Sequence, residues 1–333
     1  MRGQHACPMC GVYLVNPKHQ LPDRLYHTTE EMFTVIECRG CGLMRLDPRP
    51  KDADMPKYYP DRYWAYGATR HGPAGFYRRF VLRDHARFVK KALKSVDAPS
   101  VAILDVGCGA GDLLASLRKQ GHSAIGMDVS HSALRSAKEL DVPGVHGSYR
   151  QAPFQDQIFD VVMMFHVLEH IPDPDAAIAG ARKLLKPNGR LLIQVPNADC
   201  MQYTILGRKW MGLDVPRHLY DYRRQDIENL LARNGFAIVR RKYFSWRDNA
   251  PCLATSVAPW LDPMSRRVRQ PNRNKLLRLI GDSMYFGLTM ACWPFALFES
   301  MLRRGATLMV DAEKLPQEAV AKWTGGGMPP LGQ

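Results

Sequence analysis

The chain has 333 residues, of which 46% are hydrophobic and 23% charged. Those proportions exclude a disordered protein, and the length suffices to bury a core without disulfide staples. A net charge of +14 favours anionic partners, whether nucleic acid, acidic lipid headgroups or phosphorylated molecules, without choosing among them.

Residues 1–50 form a first unit rich in Cys, Gly and Pro. Four of the chain's eight cysteines lie here as two pairs, Cys7-Pro-Met-Cys10-Gly and Cys38-Arg-Gly-Cys41-Gly. Four thiolates satisfy tetrahedral zinc and leave no open position, so the expectation is a structural zinc ribbon with a long hairpin between the pairs. The remaining cysteines are scattered, and the N-terminus has no apolar stretch of the secretory kind, which points to a reducing cytoplasm. An aromatic connector (51–74) follows, densest from Tyr58 to Tyr66.

Residues 75–95 carry apolar positions at helical spacing among many cations and predict an amphipathic helix. From 100 onward short apolar runs alternate with helical segments. Strands are expected at 101–106, 123–130, 159–165 and 189–195, and helices at 112–121 and 131–140. A further helix is expected to end at Pro187-Asn188-Gly189. A helix and a strand follow 220, then an insertion (244–305), a last strand (306–312, in a unit to 324) and a tail (325–333). Such alternation makes βαβ units and a largely parallel sheet.

The densest chemical signal is LDVGCGAGDLL (104–114), which sets Gly107, Gly109 and Gly111 between a buried strand and a helix. Glycines there let the backbone turn sharply and come close to a ligand. The spacing, with Asp105 two positions ahead, resembles that of the class I S-adenosylmethionine methyltransferases. Four later segments match that family in order: GMDVS, APFQDQIFDVV, FHVLEHIPDP and LLKPNGRLLIQVPN.

The resemblance covers about residues 75–245 and the last strand. It implies a Rossmann-like, seven-stranded, mostly parallel sheet with helices on both faces as the core (75–243). It also implies S-adenosylmethionine as cofactor. By that resemblance Asp105, Gly107, Cys108, Gly109 and Gly111 line the cofactor, Asp128 accepts from the ribose hydroxyls, and Val129 and His166 lie beside it. Where the family often has Gly-Asp for the adenine amine, this chain has Gly147-Ser148, so Ser148 takes that place as an acceptor.

His166-Val167-Leu168-Glu169-His170 also fits a zinc-protease pattern, but Pro172 and Pro174 end any helix that would hold both histidines on one face. In the resembled family this turn lies beside the cofactor's methyl group. His170 is then a candidate general base, with a structural role as its alternative. KWMGLDVPRHLYDY (209–222) resembles a W…D-x-P-R-H loop of methyltransferases found with bacterial cell-surface saccharide and lipid pathways. In it Arg217 could hold a phosphate or carboxylate, and His218 is a second candidate base; a packed loop is the alternative.

Within the insertion, residues 283–298 carry no charge, too few to span a bilayer, which takes about 20. Six cations precede the segment between Arg266 and Arg278, and Arg303 and Arg304 follow it. Residues 274–304 therefore read either as a helix lying on an anionic membrane surface, kinked at Pro294, or as a hairpin buried against the sheet.

The function expected from these readings is methyl transfer, to oxygen before nitrogen, on a small-molecule, saccharide or lipid-linked acceptor. The enzyme is cytoplasmic and peripheral on the membrane in this reading. RNA methylation, with the zinc module as substrate holder, and a non-catalytic zinc-ribbon interaction protein are the competing readings; nucleic acid is the less favoured partner.

Overall fold

The computed structural model describes residues 1–60, 72–94 and 100–317. Most of the aromatic connector and the tail lie outside the described residues.

The N-terminal unit is an antiparallel sheet of β1 (Val15–Leu21), β2 (Phe33–Cys38) and β3 (Met44–Leu46). Its fourth strand, β9 (Tyr220–Asp221), comes from far along the chain and pairs with β3. After helix α1 (Gly72–Leu93) the α/β core begins. Its parallel strands are β4 (Ala102–Val106), β5 (Ser123–Asp128), β6 (Gly144–His146), β7 (Phe159–Phe165) and β8 (Leu185–Pro196). Two further strands, β10 (Phe236–Lys242) and β11 (Thr307–Lys314), complete a seven-stranded sheet in the order β10-β11-β8-β7-β4-β5-β6. Only β11 runs antiparallel, against both neighbours. The expected Rossmann-like sheet is therefore present, with β11 inserted between two earlier strands.

The connecting helices start where the chemistry dictates. Ser130 accepts from the backbone of Ala133 at the start of α3 (His131–Lys138). Asp173 does the same for Ala176 ahead of α4 (Pro174–Leu184), with Pro174 in the first turn where no N–H is needed. The helices α2 (Asp112–Arg118), α5 (Met201–Leu206) and α6 (Arg224–Arg233) complete the core. Pro187-Asn188-Gly189 does not end α4, as expected, because that helix already stops at Leu184 and β8 begins at Leu185. The triplet bulges out of β8: Phe159 pairs with Leu185, but Val161 with Arg190.

Strand residues alternate between two apolar layers. Ile103, Val161, Met163 and Leu192 meet α1 and α2 on one face. Leu104, Val162, Met164 and Leu191 face the other way, into a layer that also contains Leu21, Val35 and Leu43 of the N-terminal sheet. The N-terminal unit thus shares a core with the α/β sheet.

The insertion is helical, as expected: α7 (Asn249–Val257), α8 (Pro263–Arg269) and α9 (Lys275–Met301). Helix α9 is unbroken through Pro294. Pro294 sits on its exposed side, so the hydrogen bond it forfeits is not a buried one. No described helix is long and apolar enough to cross a membrane.

Candidate active site

The turn from β4 into α2 folds back over the end of β5. The N–H of Gly107 donates to Met127 O at 2.7 Å, and Cys108 N–H to the same oxygen at 3.3 Å. Gly107, Gly109 and Gly111 take φ of 72°, 54° and 74°, a region where a Cβ is strained. A Cβ on Gly107 would also stand 2.5 Å from Cγ2 of Val167. The glycine turn is therefore pressed directly against the HVLEH turn.

Asp128 ends β5 with its carboxylate held between two backbone donors, Gly109 N–H at 3.0 Å and Ser130 N–H at 2.8 Å. Burial raises its pKa against those bonds. Asp105 is fully buried nearby, and burial together with the Asp128 charge pushes it up to about 8, so it stands protonated. The next residue after the acid, Val129, is 66% exposed, an apolar side chain left open beside a carboxylate. Its carbonyl faces Nε2 of His146 at 3.1 Å, and His146 stacks on His131 with ring centroids 4.0 Å apart. Cys108 and Ser148 are half-buried at the same end of the sheet.

Across Val167 lies a cluster of buried ionisable groups. His166, at φ 56°, has Nδ1 3.3 Å from Glu169 and Nε2 3.3 Å from Asp248. Burial opposes its charge, but Asp248 and Glu169 hold its pKa up to about 9. Glu169 is 1% exposed; despite burial, His166 and the neighbouring histidines lower it to about 2. Nε2 of His218 stands 4.0 Å from Glu169 and 4.0 Å from Asp214, while its Nδ1 donates to Gly212 O at 2.7 Å. That bond fixes the tautomer and leaves Nε2 as the accepting nitrogen.

His170 packs edge-on against His218 and donates from Nδ1 to Arg217 O at 2.9 Å. Burial depresses it to about 4. Of the two expected candidates, His218 is the one whose Nε2 stands beside two carboxylates, Glu169 and Asp214, that can hold its imidazolium.

Arg217 is not a substrate clamp. It is fully buried, forked onto Asp23 at 2.8 and 3.0 Å, and bonded to Asp214 at 2.7 and 3.1 Å. The sequence reading missed Asp23 and Asp248, because each comes from a different segment; Asp214 lies in the 209–222 loop, three residues before Arg217. Behind them, Gln194 donates to Asp248 at 2.5 Å and faces Nε2 of His85 on α1 at 2.8 Å. Glu169, His170 and His218 together offer one ligand atom each within 4.8 Å of one another, a donor set that could take a divalent cation.

The four N-terminal cysteines converge as their spacing implied, with every sulfur within 4.8 Å of the others. Cys7 and Cys41 sulfurs are 3.6 Å apart, and Cys10 and Cys38 3.5 Å. A tetrahedron with arms of about 2.3 Å needs edges of about 3.8 Å, so the set fits a zinc ion. Two matching turns shape it. Gly11 and Gly42, at φ 74° and 76°, donate back to Cys7 O and Cys38 O at 2.8 Å each. The N–H groups of Met9 and Cys10 then aim at the Cys7 sulfur, and those of Gly40 and Cys41 at Cys38.

Residues 76–241 match a family described as a methyltransferase domain. The chain is 33% identical over 138 residues to the ubiquinone biosynthesis O-methyltransferase of Pasteurella multocida, covering 36% of this chain and 57% of that protein. It is 35% identical over 128 residues to the protein of the same name from Methylococcus capsulatus, covering 36% and 54%. It thus spans little more than half the length of these curated relatives. Among solved structures, an S-adenosylmethionine-dependent methyltransferase from Mesorhizobium loti is 18% identical, with a TM-score of 0.45 over 70% of this chain and 100% of that one.

Proposed function

We infer that residues 76–241, which match a methyltransferase domain, are a class I S-adenosylmethionine-dependent methyltransferase, and on that premise we propose that this chain moves a methyl group from S-adenosylmethionine to a hydroxyl oxygen of a small-molecule acceptor. One observation carries the reading. The glycine turn that ends at the Asp128 carboxylate touches, through Gly107 and Val167, the turn that holds the buried His–Glu cluster. A nucleoside cradle and an acid–base cluster therefore meet at one wall.

The residues present fit the cofactor. Asp128 can trade its two backbone bonds for ribose hydroxyls, the positive-φ glycines admit close backbone approach, Val129 offers an apolar face to adenine, and Ser148 an acceptor to its amine. Bound there, S-adenosylmethionine supplies a methyl already activated on a sulfonium. Nε2 of His218 takes the acceptor's hydroxyl proton, and the Glu169 and Asp214 carboxylates stabilise the imidazolium that results. His166, held charged, keeps Glu169 ionised for that task.

We also assign a structural zinc ion to Cys7, Cys10, Cys38 and Cys41; the sulfur–sulfur distances support it. The acceptor in this reading is saccharide or lipid-linked and reached at an anionic membrane surface, which the charge of +14 supports.

The test uses the purified chain with methyl-labelled S-adenosylmethionine and a lipid and glycan extract from cells lacking the protein. His218→Asn should abolish label transfer while calorimetric affinity for the cofactor stays unchanged. Absence of cofactor binding by the unmodified chain, or full transfer by the variant, overturns the reading.

A further inference from the structure

Helix α9 buries only one side. Tyr285 bonds Thr255 on α7 at 2.8 Å, Trp293 packs on Trp246 at 4.0 Å, and Glu299 takes a bond from Gln202 at 2.7 Å. The opposite side is open and apolar. Leu276, Leu279, Phe286, Met290, Leu297 and Phe298 are all exposed large hydrophobics. At 100° per residue they fall within about 120° of the helix circumference, so they form a continuous stripe. From Leu279 to Met301 no exposed residue of the helix carries a charge. The short turn Pro259–Leu261 packs against the helix and adds Trp260, 62% exposed.

Charge gathers at the two ends of the stripe. Arg273, Lys275 and Arg278 stand at its start, and Arg303 and Arg304 just past its end. Arg273, Arg278 and Arg304 donate to neutral oxygens of Gln270, Pro271, Asp199 and Thr204, which leaves their charge uncompensated by those partners. An open apolar stripe of this length, about 33 Å, is unusual for a surface facing only water.

We propose that α9 is the element by which the protein lies on an anionic phospholipid surface, the apolar stripe sunk to the acyl boundary and the end cations among the headgroups. A second copy fits less well. A two-fold pairing of α9 on α9 sets cationic end against cationic end whether the helices run parallel or antiparallel. Acidic headgroups instead answer both charges at once, and burial of Phe286, Phe298 and Trp260 supplies the second attachment that stable binding needs. The placement deepens the reading of an acceptor reached at such a surface, and rests on it for its purpose alone.

The test is flotation of the full chain with phosphatidylcholine vesicles, with and without phosphatidylglycerol. Binding is expected only with the anionic lipid, with release in high salt. Phe286→Ser with Phe298→Ser should weaken it about tenfold or more, and Arg303→Gln with Arg304→Gln should weaken it and flatten the salt dependence. Cofactor affinity, read in parallel by calorimetry, should not move in either variant, which shows that they fold. The proposal is overturned by a wild-type chain that stays free of anionic vesicles at low salt, by Ser variants that bind as well as wild type, or by a sedimentation dimer that those variants dissolve. Vesicle binding needs no methyl transfer, so its failure and a failure of the catalytic reading are separable.

Discussion

Arg217 and Asp23 meet in a fully buried fork, two parallel bonds of 2.8 and 3.0 Å between residues 194 positions apart. Asp214 closes the other side of the guanidinium. The Asp23 carboxylate also accepts from Tyr26, Thr28 and Leu25, so it organises the loop between β1 and β2 while holding the loop that carries His218.

Removing one partner leaves the other charged and unsolvated in the interior. Arg217→Met should cost about 3–5 kcal/mol of stability in denaturant unfolding, because it strands both Asp23 and Asp214. A variant as stable as wild type, with Asp23 still buried, contradicts the assignment of this pair as the tie between the β1–β2 loop and the loop that carries His218.

Asp128→Ala should weaken S-adenosylmethionine by about tenfold or more in calorimetry, since a buried ribose loses its acceptor. Gly107→Ala should do at least as much, because φ 72° strains any Cβ and Val167 occupies its place. Wild-type affinity in both would move the cofactor elsewhere.

The His166–Glu169 pair should contribute most to stability between about pH 4.5 and 6.5. His166 is raised from 6.5 to about 9, so its contribution is complete below 6.5 and is lost as pH rises through 9. Glu169 is lowered from 4.5 to about 2, so its contribution is present above 4.5 and is lost as pH falls through 2. His170 is lowered to about 4, and the unfolded chain binds its proton first below 6.5, which steepens the acid side. His166→Gln should flatten the alkaline limb of an unfolding-versus-pH curve; a wild-type curve still climbing to pH 9 refutes the pairing.

Elemental analysis of protein purified without chelator should find one zinc ion per chain. Cys38→Ser should lose it and expose residues 1–50 to protease before the core, because the metal supplies part of that unit's folding energy. A metal-free wild type with the same protease resistance disproves the site.

Local signals were legible in the sequence and long-range ones were not. The strands, the glycine turn and the cysteine knuckles each lie within a dozen residues, where spacing and turn chemistry suffice. Asp23, Asp248 and Gln194 come from three segments that only the fold brings to the loop of Asp214, Arg217 and His218. Arg217 therefore read as free to hold an anion, since nothing in Pro216-Arg217-His218 announces a partner near the N-terminus. The open side of α9 was legible as an uncharged run, but its exposure depends on α7 covering only the other side.

The placement of β11 between β8 and β10 has a consequence during synthesis. On the ribosome β10 emerges long before the strand that seats it, and the three insertion helices are made in the interval. Until residues 307–314 leave the exit tunnel, β8 and β10 both present open backbone edges. β3 likewise waits for residues 220–221. Between the synthesis of β10 and that of β11 the nascent chain thus carries two waiting edges of the core sheet at once, and its dependence on chaperones should be greatest in that interval.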